Sequence, residues 1–188
     1  MVILTQSPSL NLKVGNPMSI LKTMTIDGFY TQEEATRLEN VTFNLQYVPT
    51  EFGEEIPQFN MVPENSNELF SKVLKLPVTV KDEQSGVFRL PNRSNFIHFE
   101  GFDTLNEWLF VVAIQQSTFN IFEHQSGVTT ALEGYQFNYM NLFEWDLMCN
   151  YVLKPGQGVF FRPWLFHSFD SGLIQIFRLE ESTRVTEG

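Results

Sequence analysis

The chain has 188 residues, of which 43% are hydrophobic and 14% aromatic, which suffices for one domain with a full core. A formal net charge of −10 with only 12 lysines and arginines argues against a nucleic-acid-binding surface and against attraction to anionic membranes. The single cysteine, Cys149, excludes an internal disulfide framework and a cysteine-rich zinc site. No basic segment followed by a long apolar stretch marks a signal peptide, so we expect a cytoplasmic protein.

The N-terminal part is expected to be extended at first and then helical. Residues 1–24 carry scattered apolar residues among Ser, Pro, Asn and Gly, which indicates an extended lead-in or an edge strand. Thr31 and Glu34 match the capping-box pattern, so we expect a helix over about 31–41. The segment ENSNELFSKVLKLP has apolar residues at helical spacing and predicts a second helix that ends at Pro77.

From residue 78 onward the sequence is typical of β structure, because short apolar segments alternate with Gly, Pro, Asn or Asp. These segments are PVTVKD, SGVFRLP, NFIHFE, EWLFVVAIQ, STFNIFEH, YQFNYMNLF, WDLMCNYVL, GVFFRPW, FHSFDS and LIQIFRLEE. They predict a mainly β fold, either a barrel or a two-sheet sandwich, with the helices packed on one face. We expect a single domain over 1–188, with a helical part at 25–77, a β core at 78–181 and a tail at 182–188.

The stretch NFIHFEG carries the first candidate functional residues. His98 and Glu100 share one face of the predicted strand, because successive side chains of a strand point to opposite sides. The apolar flanks indicate partial burial, and a buried carboxylate needs a partner. His167 lies in a later apolar segment, PWLFHSF, and two imidazoles with one carboxylate form the ligand set of a non-heme Fe(II) site. The alternative interpretation makes both histidines hydrogen-bonded core residues and lets Glu100 face water.

Arg178 lies downstream of His167 and shares a predicted strand face with two isoleucines. A guanidinium in a barrel interior would form a bidentate pair with a carboxylate. At a strand end it would instead form a surface salt bridge with Glu180 or Glu181. His124 ends the segment FNIFEH and is either a substitute third ligand or a partly exposed strand-end residue.

Three further arginines, Arg89, Arg93 and Arg162, flank these segments in sequence. Each of them has two interpretations, a contact with a substrate or a pair with one of the many acidic residues. Because acidic residues outnumber basic ones, 22 to 12, we expect pairing with the excess acid for each arginine.

Taken together, H-x-E at His98–Glu100, then His167, then Arg178 resemble the H-x-D/E…H…R signature of Fe(II)/2-oxoglutarate-dependent oxygenases. The spacing is similar to that of the prolyl 4-hydroxylase-like branch. IDGFYTQEEATRLENV resembles the opening of that branch, SGVFRLPNRSNFIHFEGF the stretch leading to the first iron ligand, and GVFFRPWLFHSF the segment with the distal histidine. The resemblance covers roughly residues 25–181 and implies a double-stranded β-helix, which is a jelly-roll or cupin-like barrel.

The resemblance implies that His98, Glu100 and His167 bind Fe(II) as catalytic ligands and that Arg178 binds the distal carboxylate of the cosubstrate, 2-oxoglutarate. The implied activity is hydroxylation of a small molecule or a protein side chain, without a nucleic-acid or membrane partner. Two residues depart from the pattern: Glu100 stands where Asp is commoner, and Glu180 stands where Ser or Thr is common. Two other readings stay open, a non-catalytic β-barrel binding module and a cupin-type metal enzyme that does not use 2-oxoglutarate.

Overall fold

The fold is mainly β, as predicted. The computed structural model describes residues 11–13, 23–50, 53–56, 63, 65–81, 85–90, 97–99, 106–128, 130–131, 137, 139 and 141–182. In chain order the elements within these ranges are β1 (Asn11–Lys13), β2 (Met24–Asp27), α1 (Gln32–Phe43), β3 (Val48–Thr50), β4 (Gly53–Ile56), α2 (Ser66–Leu74), β5 (Val78–Val80), β6 (Gly86–Leu90), β7 (Glu107–Ala113), β8 (Ser117–His124), β9 (Trp145–Leu153), β10 (Gly158–Phe161), β11 (His167–Asp170) and β12 (Gly172–Glu181).

Helix α1 begins where the capping box predicted it. The Thr31 hydroxyl accepts from the Glu34 backbone N–H at 3.1 Å, and the Glu34 carboxylate accepts from the Thr31 N–H at 2.8 Å. These bonds satisfy two N–H groups that a helix start otherwise leaves without partners. Helix α2 ends at Leu74, before Pro77, because Lys75 takes a left-handed conformation with φ of 58° and terminates the helix.

Two antiparallel sheets form the body of the protein. The large sheet has the order β1-β2-β10-β7-β12-β6-β4-β3, with β5 pairing the end of β12, and the small sheet has the order β11-β8-β9. The stretch 25–77, predicted as helical, also contains β2, β3 and β4, which extend both edges of the large sheet. Their pairing partners, rather than their own short sequences, determine that these segments are strands.

The hydrophobic core has two main layers, one on each face of the large sheet. Leu109 and Val111 of β7 belong to the cluster between the two sheets, whereas Phe110 and Val112 belong to the cluster under α1 and α2. Both faces of β7 are therefore buried, which explains its continuous apolar sequence. The helices lie on one face of the large sheet, as predicted, and the small sheet covers the other.

The segment 135–143 was predicted as a strand, and this prediction is wrong where the structure describes it. Leu142–Glu144 form a short 3-10 turn, and residues 137 and 139 are not in a strand. The aromatic side chains Phe137 and Tyr139 instead pack on a third apolar cluster, on the outer face of the small sheet. Neither α1 nor α2 is long and apolar enough to cross a membrane.

Candidate functional site

One end of the space between the two sheets brings together three of the side chains singled out from the sequence, those of His98, His167 and Arg178. Arg178 on β12 pairs with Leu109 on β7, and Leu109 pairs with Phe161 on β10. The ring of Phe161 lies 4.7 Å from the ring of His167, centroid to centroid. Strands lie about 4.8 Å apart, so Arg178 and Phe161 are about 10 Å apart across the inner face of the large sheet.

His98 and His167 lie next to each other, although they are far apart in sequence. Their backbones exchange two hydrogen bonds, each with an N–O distance of 2.9 Å, and their ring centroids are 4.1 Å apart. Directly paired residues of antiparallel segments point to the same side. The chain neighbours Ile97 and Phe166 point to the other side, into the third apolar cluster. The structure therefore brings both imidazoles together on the inner side.

The protonation of His167 follows from its surroundings. The side chain is fully buried, and its Nδ1 lies 2.7 Å from the Leu165 carbonyl oxygen. Burial, together with the nearby His98, lowers the pKa of His167 well below its usual 6.5, although the Leu165 bond opposes this shift. A neutral ring whose Nδ1–H donates to a carbonyl presents a bare lone pair at Nε2.

This lone pair has no hydrogen-bond partner among the residues that the structure describes. A buried acceptor without a partner is costly, and a neutral imidazole nitrogen whose other N–H is fixed by a carbonyl is the usual form of a metal-binding histidine. The Nε2 of His167 therefore fits a metal ligand.

The depressed pKa of His167 has a consequence for stability. In the unfolded chain His167 takes up a proton below about pH 6.5, whereas in the metal-free folded protein it stays neutral, so protons favour unfolding. Stability should be at its full value above that pH and should fall as the pH drops. One proton taken up only by the unfolded chain costs about 1.4 kcal/mol between pH 7.5 and 5.5.

Urea unfolding at several pH values measures this loss. The His167→Gln variant serves as the control, because it retains a polar side chain that does not titrate. We expect the wild-type protein to lose about 1.4 kcal/mol more than the variant over the same pH interval. Equal pH slopes in the two proteins would contradict the buried, neutral state of His167.

The third predicted ligand, Glu100, lies outside the described residues. Within the described ranges there is no group of three or more His, Cys, Asp or Glu side chains arranged to hold a metal. The complete ligand set therefore stays a prediction.

His124 lies away from the histidine pair. Its ring packs against Phe137 at 4.3 Å and Trp145 at 5.0 Å, and its Nδ1 is 2.8 Å from the Ser126 hydroxyl. Trp145 belongs to the cluster on the outer face of the small sheet, opposite to the side that His167 occupies. This position, at the end of β8 with a side chain 16% exposed, agrees with the interpretation as a partly exposed strand-end residue.

Arg178 points to the inner side, as its alternation with Ile174 and Ile176 predicted. Its Nη1 lies 3.3 Å from Oε2 of Glu107, whose Oε1 accepts from the Lys81 ammonium at 2.6 Å. The Arg178 and Glu107 side chains are only 22% and 13% exposed. Burial lowers the pKa of Arg178 from its usual range, and a poorly solvated guanidinium calls for an anionic partner.

Sequence reasoning did not find Glu107 and Lys81. Glu107 precedes an apolar run and Lys81 follows a short strand, and neither pattern indicates that the two side chains lie beside each other or beside Arg178. Only the register of β12 against β5 and β7 brings them to Arg178.

Two other arginines pair with glutamates, as expected from the excess of acid. Arg89 lies 3.3 Å from Glu54 and stacks on Tyr47, while Arg162 lies 2.8 Å from Glu181. Arg93 lies outside the described residues.

Comparison with known proteins gives a result at the level of the fold. No protein-family model matches the sequence, and no curated protein is similar to it in sequence. HygX from Streptomyces hygroscopicus, solved with nickel and 2-oxoglutarate bound, is 10% identical with a TM-score of 0.58, over 87% of this chain and 84% of that one. SnoK, a non-heme alpha-ketoglutarate-dependent carbocyclase from nogalamycin biosynthesis, is 11% identical with a TM-score of 0.57, over 89% and 85%. A 2OG-Fe(II) oxygenase family oxidoreductase from Burkholderia pseudomallei is 10% identical with a TM-score of 0.51, over 84% of each chain. The chain therefore shares the fold of these three proteins.

Proposed function

We propose that the protein is an Fe(II)- and 2-oxoglutarate-dependent dioxygenase whose two sheets form a double-stranded β-helix. One observation carries the proposal: the fully buried His167 presents an Nε2 lone pair beside His98, on the side of the sheets that Arg178 also faces. The similarity in fold to structures that contain 2-oxoglutarate with nickel supports it.

In this proposal His98, Glu100 and His167 hold Fe(II), and Arg178 binds the distal carboxylate of 2-oxoglutarate. Bound Fe(II) would supply the oxygen chemistry, in which O2, 2-oxoglutarate and a substrate C–H group yield succinate, CO2 and a hydroxylated product. The cosubstrate supplies two electrons and the C–H bond the other two, so the four-electron reduction of O2 is balanced.

The protein's own residues prepare this site. The Leu165 carbonyl fixes the tautomer and the rotation of the His167 ring, so that one nitrogen faces the ion without reorganisation. Three phenylalanine rings surround His167, namely Phe161 at 4.7 Å, Phe169 at 5.7 Å and Phe119 at 6.0 Å. These rings shield the His167 side of the site from water, and electrostatic interactions with a bound ion are stronger in such a medium of low dielectric constant.

The fold neighbours support a small-molecule substrate. HygX has been solved with hygromycin B bound, and SnoK acts in nogalamycin biosynthesis. A protein side chain, which the resemblance to the prolyl 4-hydroxylase-like branch implies, is the alternative. The absence of a basic excess in the sequence, with a net charge of −10, argues against nucleic acid. The single cysteine agrees with a cytoplasmic, reducing setting.

The role of Arg178 can be tested with the Arg178→Met variant. After anaerobic loading with Fe(II), we expect the wild-type protein to convert 2-oxoglutarate to succinate when O2 is admitted. In the variant the KM for 2-oxoglutarate should rise by about 10- to 100-fold, the range for the loss of hydrogen bonds to a charged group. Succinate is measured by mass spectrometry.

Arg89→Met is the matched control, because Arg89 forms the same kind of glutamate pair at 3.3 Å but lies on β6 opposite Leu173, whose side chain faces the helices. Its KM should stay within about twofold of wild type, as for other surface pairs. A wild-type protein that binds iron but gives no succinate would indicate a cupin-type metal enzyme. A wild-type protein without stoichiometric metal would indicate a binding module.

A further inference from the structure

Four charged side chains meet where the predicted cosubstrate carboxylate would bind: Glu107, Lys81, Arg178 and the more exposed Glu180, whose carboxylate lies 3.6 Å from the Lys81 ammonium. Glu107, the first residue of β7, is the central member, with Lys81 on one carboxylate oxygen at 2.6 Å and Arg178 on the other at 3.3 Å. The backbones of the two cations are also joined, since the Lys81 N–H donates to the Arg178 carbonyl at 2.8 Å. The cluster is therefore built into the strand pairing.

The two contacts of Glu107 are unequal. The hydrogen bond from Lys81 to Glu107 is short and charge-assisted, and it raises the pKa of Lys81. This pair is therefore the stronger of the two contacts. The contact with Arg178 is a single long one through Nη1, without the two parallel bonds that arginine makes with a well-placed carboxylate. Glu107 can therefore release Arg178 and still keep a cation beside it.

We propose that Glu107 is an internal competitor for Arg178. In the ligand-free protein the Glu107 carboxylate binds the Arg178 guanidinium. When 2-oxoglutarate binds, its distal carboxylate replaces Glu107 on Arg178, and Glu107 stays paired with Lys81. This inference rests on the function proposed above. Glu107 then lowers the affinity for the cosubstrate, because its negative charge stays near the incoming carboxylate. Lys81 limits this loss of affinity, because it partly neutralises the charge of Glu107.

The opposite role, in which Glu107 holds Arg178 in its binding position, predicts the opposite sign. A positioning carboxylate would be needed for affinity, and its removal would weaken binding. Strand pairing with Leu109 fixes the backbone of Arg178, so a positioning role of Glu107 would concern only the guanidinium end of the side chain. The sign of the change in affinity therefore separates the two roles.

The decisive measurement is calorimetric binding of 2-oxoglutarate to the full chain loaded with Mn(II), without O2. The Glu107→Gln variant keeps the size and polarity of the side chain and removes its charge. We expect its Kd for 2-oxoglutarate to be about three- to tenfold lower than that of the wild type, as for the loss of one partly screened like charge. 2-Oxopentanoate, which lacks the distal carboxylate, should bind both proteins equally.

A second variant tests the part of Lys81. Lys81→Met should weaken the binding of 2-oxoglutarate by about three- to tenfold, because Glu107 then depends on Arg178 alone. The double variant Lys81→Met/Glu107→Gln should bind within about twofold of Glu107→Gln, since Lys81 acts through Glu107. A double variant as weak as Lys81→Met would overturn the inference, because Lys81 would then act by a direct contact with the ligand or through Glu180, 3.6 Å away, and not through Glu107.

Failure of this inference and failure of the proposed function give different results. If the wild type binds 2-oxoglutarate and Glu107→Gln binds it with equal or weaker affinity, only the competitor role is overturned. No binding of 2-oxoglutarate by any of the four Mn(II)-loaded proteins overturns the proposed function as well. Circular dichroism and the urea midpoint of each variant establish that it is folded, so that a loss of binding is not a loss of structure.

Discussion

Replacement of His167 by alanine is expected to abolish stable Fe(II) binding and, with it, the turnover of 2-oxoglutarate. The side chain is fully buried and its Nε2 faces the inner side with no partner among the described residues, so no neighbouring group described there can substitute for it. Loss of a residue that merely orients a metal ligand costs about 10- to 100-fold in affinity or activity, and loss of the ligand itself should cost at least the upper value.

The same substitution also removes the bond from His167 to the Leu165 carbonyl. We expect it to cost about 1–3 kcal/mol of stability, which a folded domain can sustain. Iron content after anaerobic loading, measured by atomic emission, and succinate formation are the two readouts.

His124→Ala is the control, because it removes an imidazole from the outer face of the small sheet. Its iron content should equal that of the wild type. Undiminished iron in His167→Ala, or lost iron in His124→Ala, would contradict the site.

The features that sequence could predict are those with a local physical cause. The capping box of Thr31 and Glu34 fixes the start of α1 because both bonds lie within one turn. The inner position of Arg178 follows from the alternation of side chains along β12. The pairing of His98 with His167 is not local, and it was expected from the ligand set of a non-heme Fe(II) site and from the resemblance of the motif order to a known family.

The features that sequence did not predict depend on which strand lies beside which. Glu107 and Lys81 reach Arg178 through the register of three strands, and no pattern within any one strand encodes that register. The aromatic segment 135–143 was expected to be a strand because of its composition. At residues 137 and 139 the aromatic rings instead cover an apolar cluster, although neither residue lies in a strand. Enrichment in aromatic residues therefore indicates burial as much as it indicates extended structure.

The largest effect on stability is expected for Phe110→Ala. Phe110 lies at the centre of the layer between the large sheet and the helices, with ring centroids 4.4 Å from Phe160, 4.8 Å from Phe29 and 5.0 Å from Phe70. It is fully buried, and its ring also lies over Gly158, where an added Cβ would approach it to 2.4 Å. Removal of such a ring leaves a cavity and costs about 3–5 kcal/mol, a large part of the 5–15 kcal/mol that is typical of a domain.

Urea unfolding measures this loss, and Phe143→Ala is the matched control. Phe143 is 90% exposed, so its truncation should change the free energy of unfolding by no more than about 0.5 kcal/mol. Comparable losses in the two variants would contradict the placement of Phe110 in the core.

The same variant tests whether the two core layers act independently. Phe110 points toward the helices, whereas its neighbours Leu109 and Val111 point toward the side of the histidines. At a temperature where Phe110→Ala is still folded, its affinity for Mn(II) and 2-oxoglutarate should therefore stay within about twofold of the wild type, because its ring lies on the opposite face of the sheet from Arg178 and Glu107. A folded variant with a much weaker affinity would mean that the position of β7, and through it Glu107 and Arg178, depends on how the helices pack against the opposite face of the sheet.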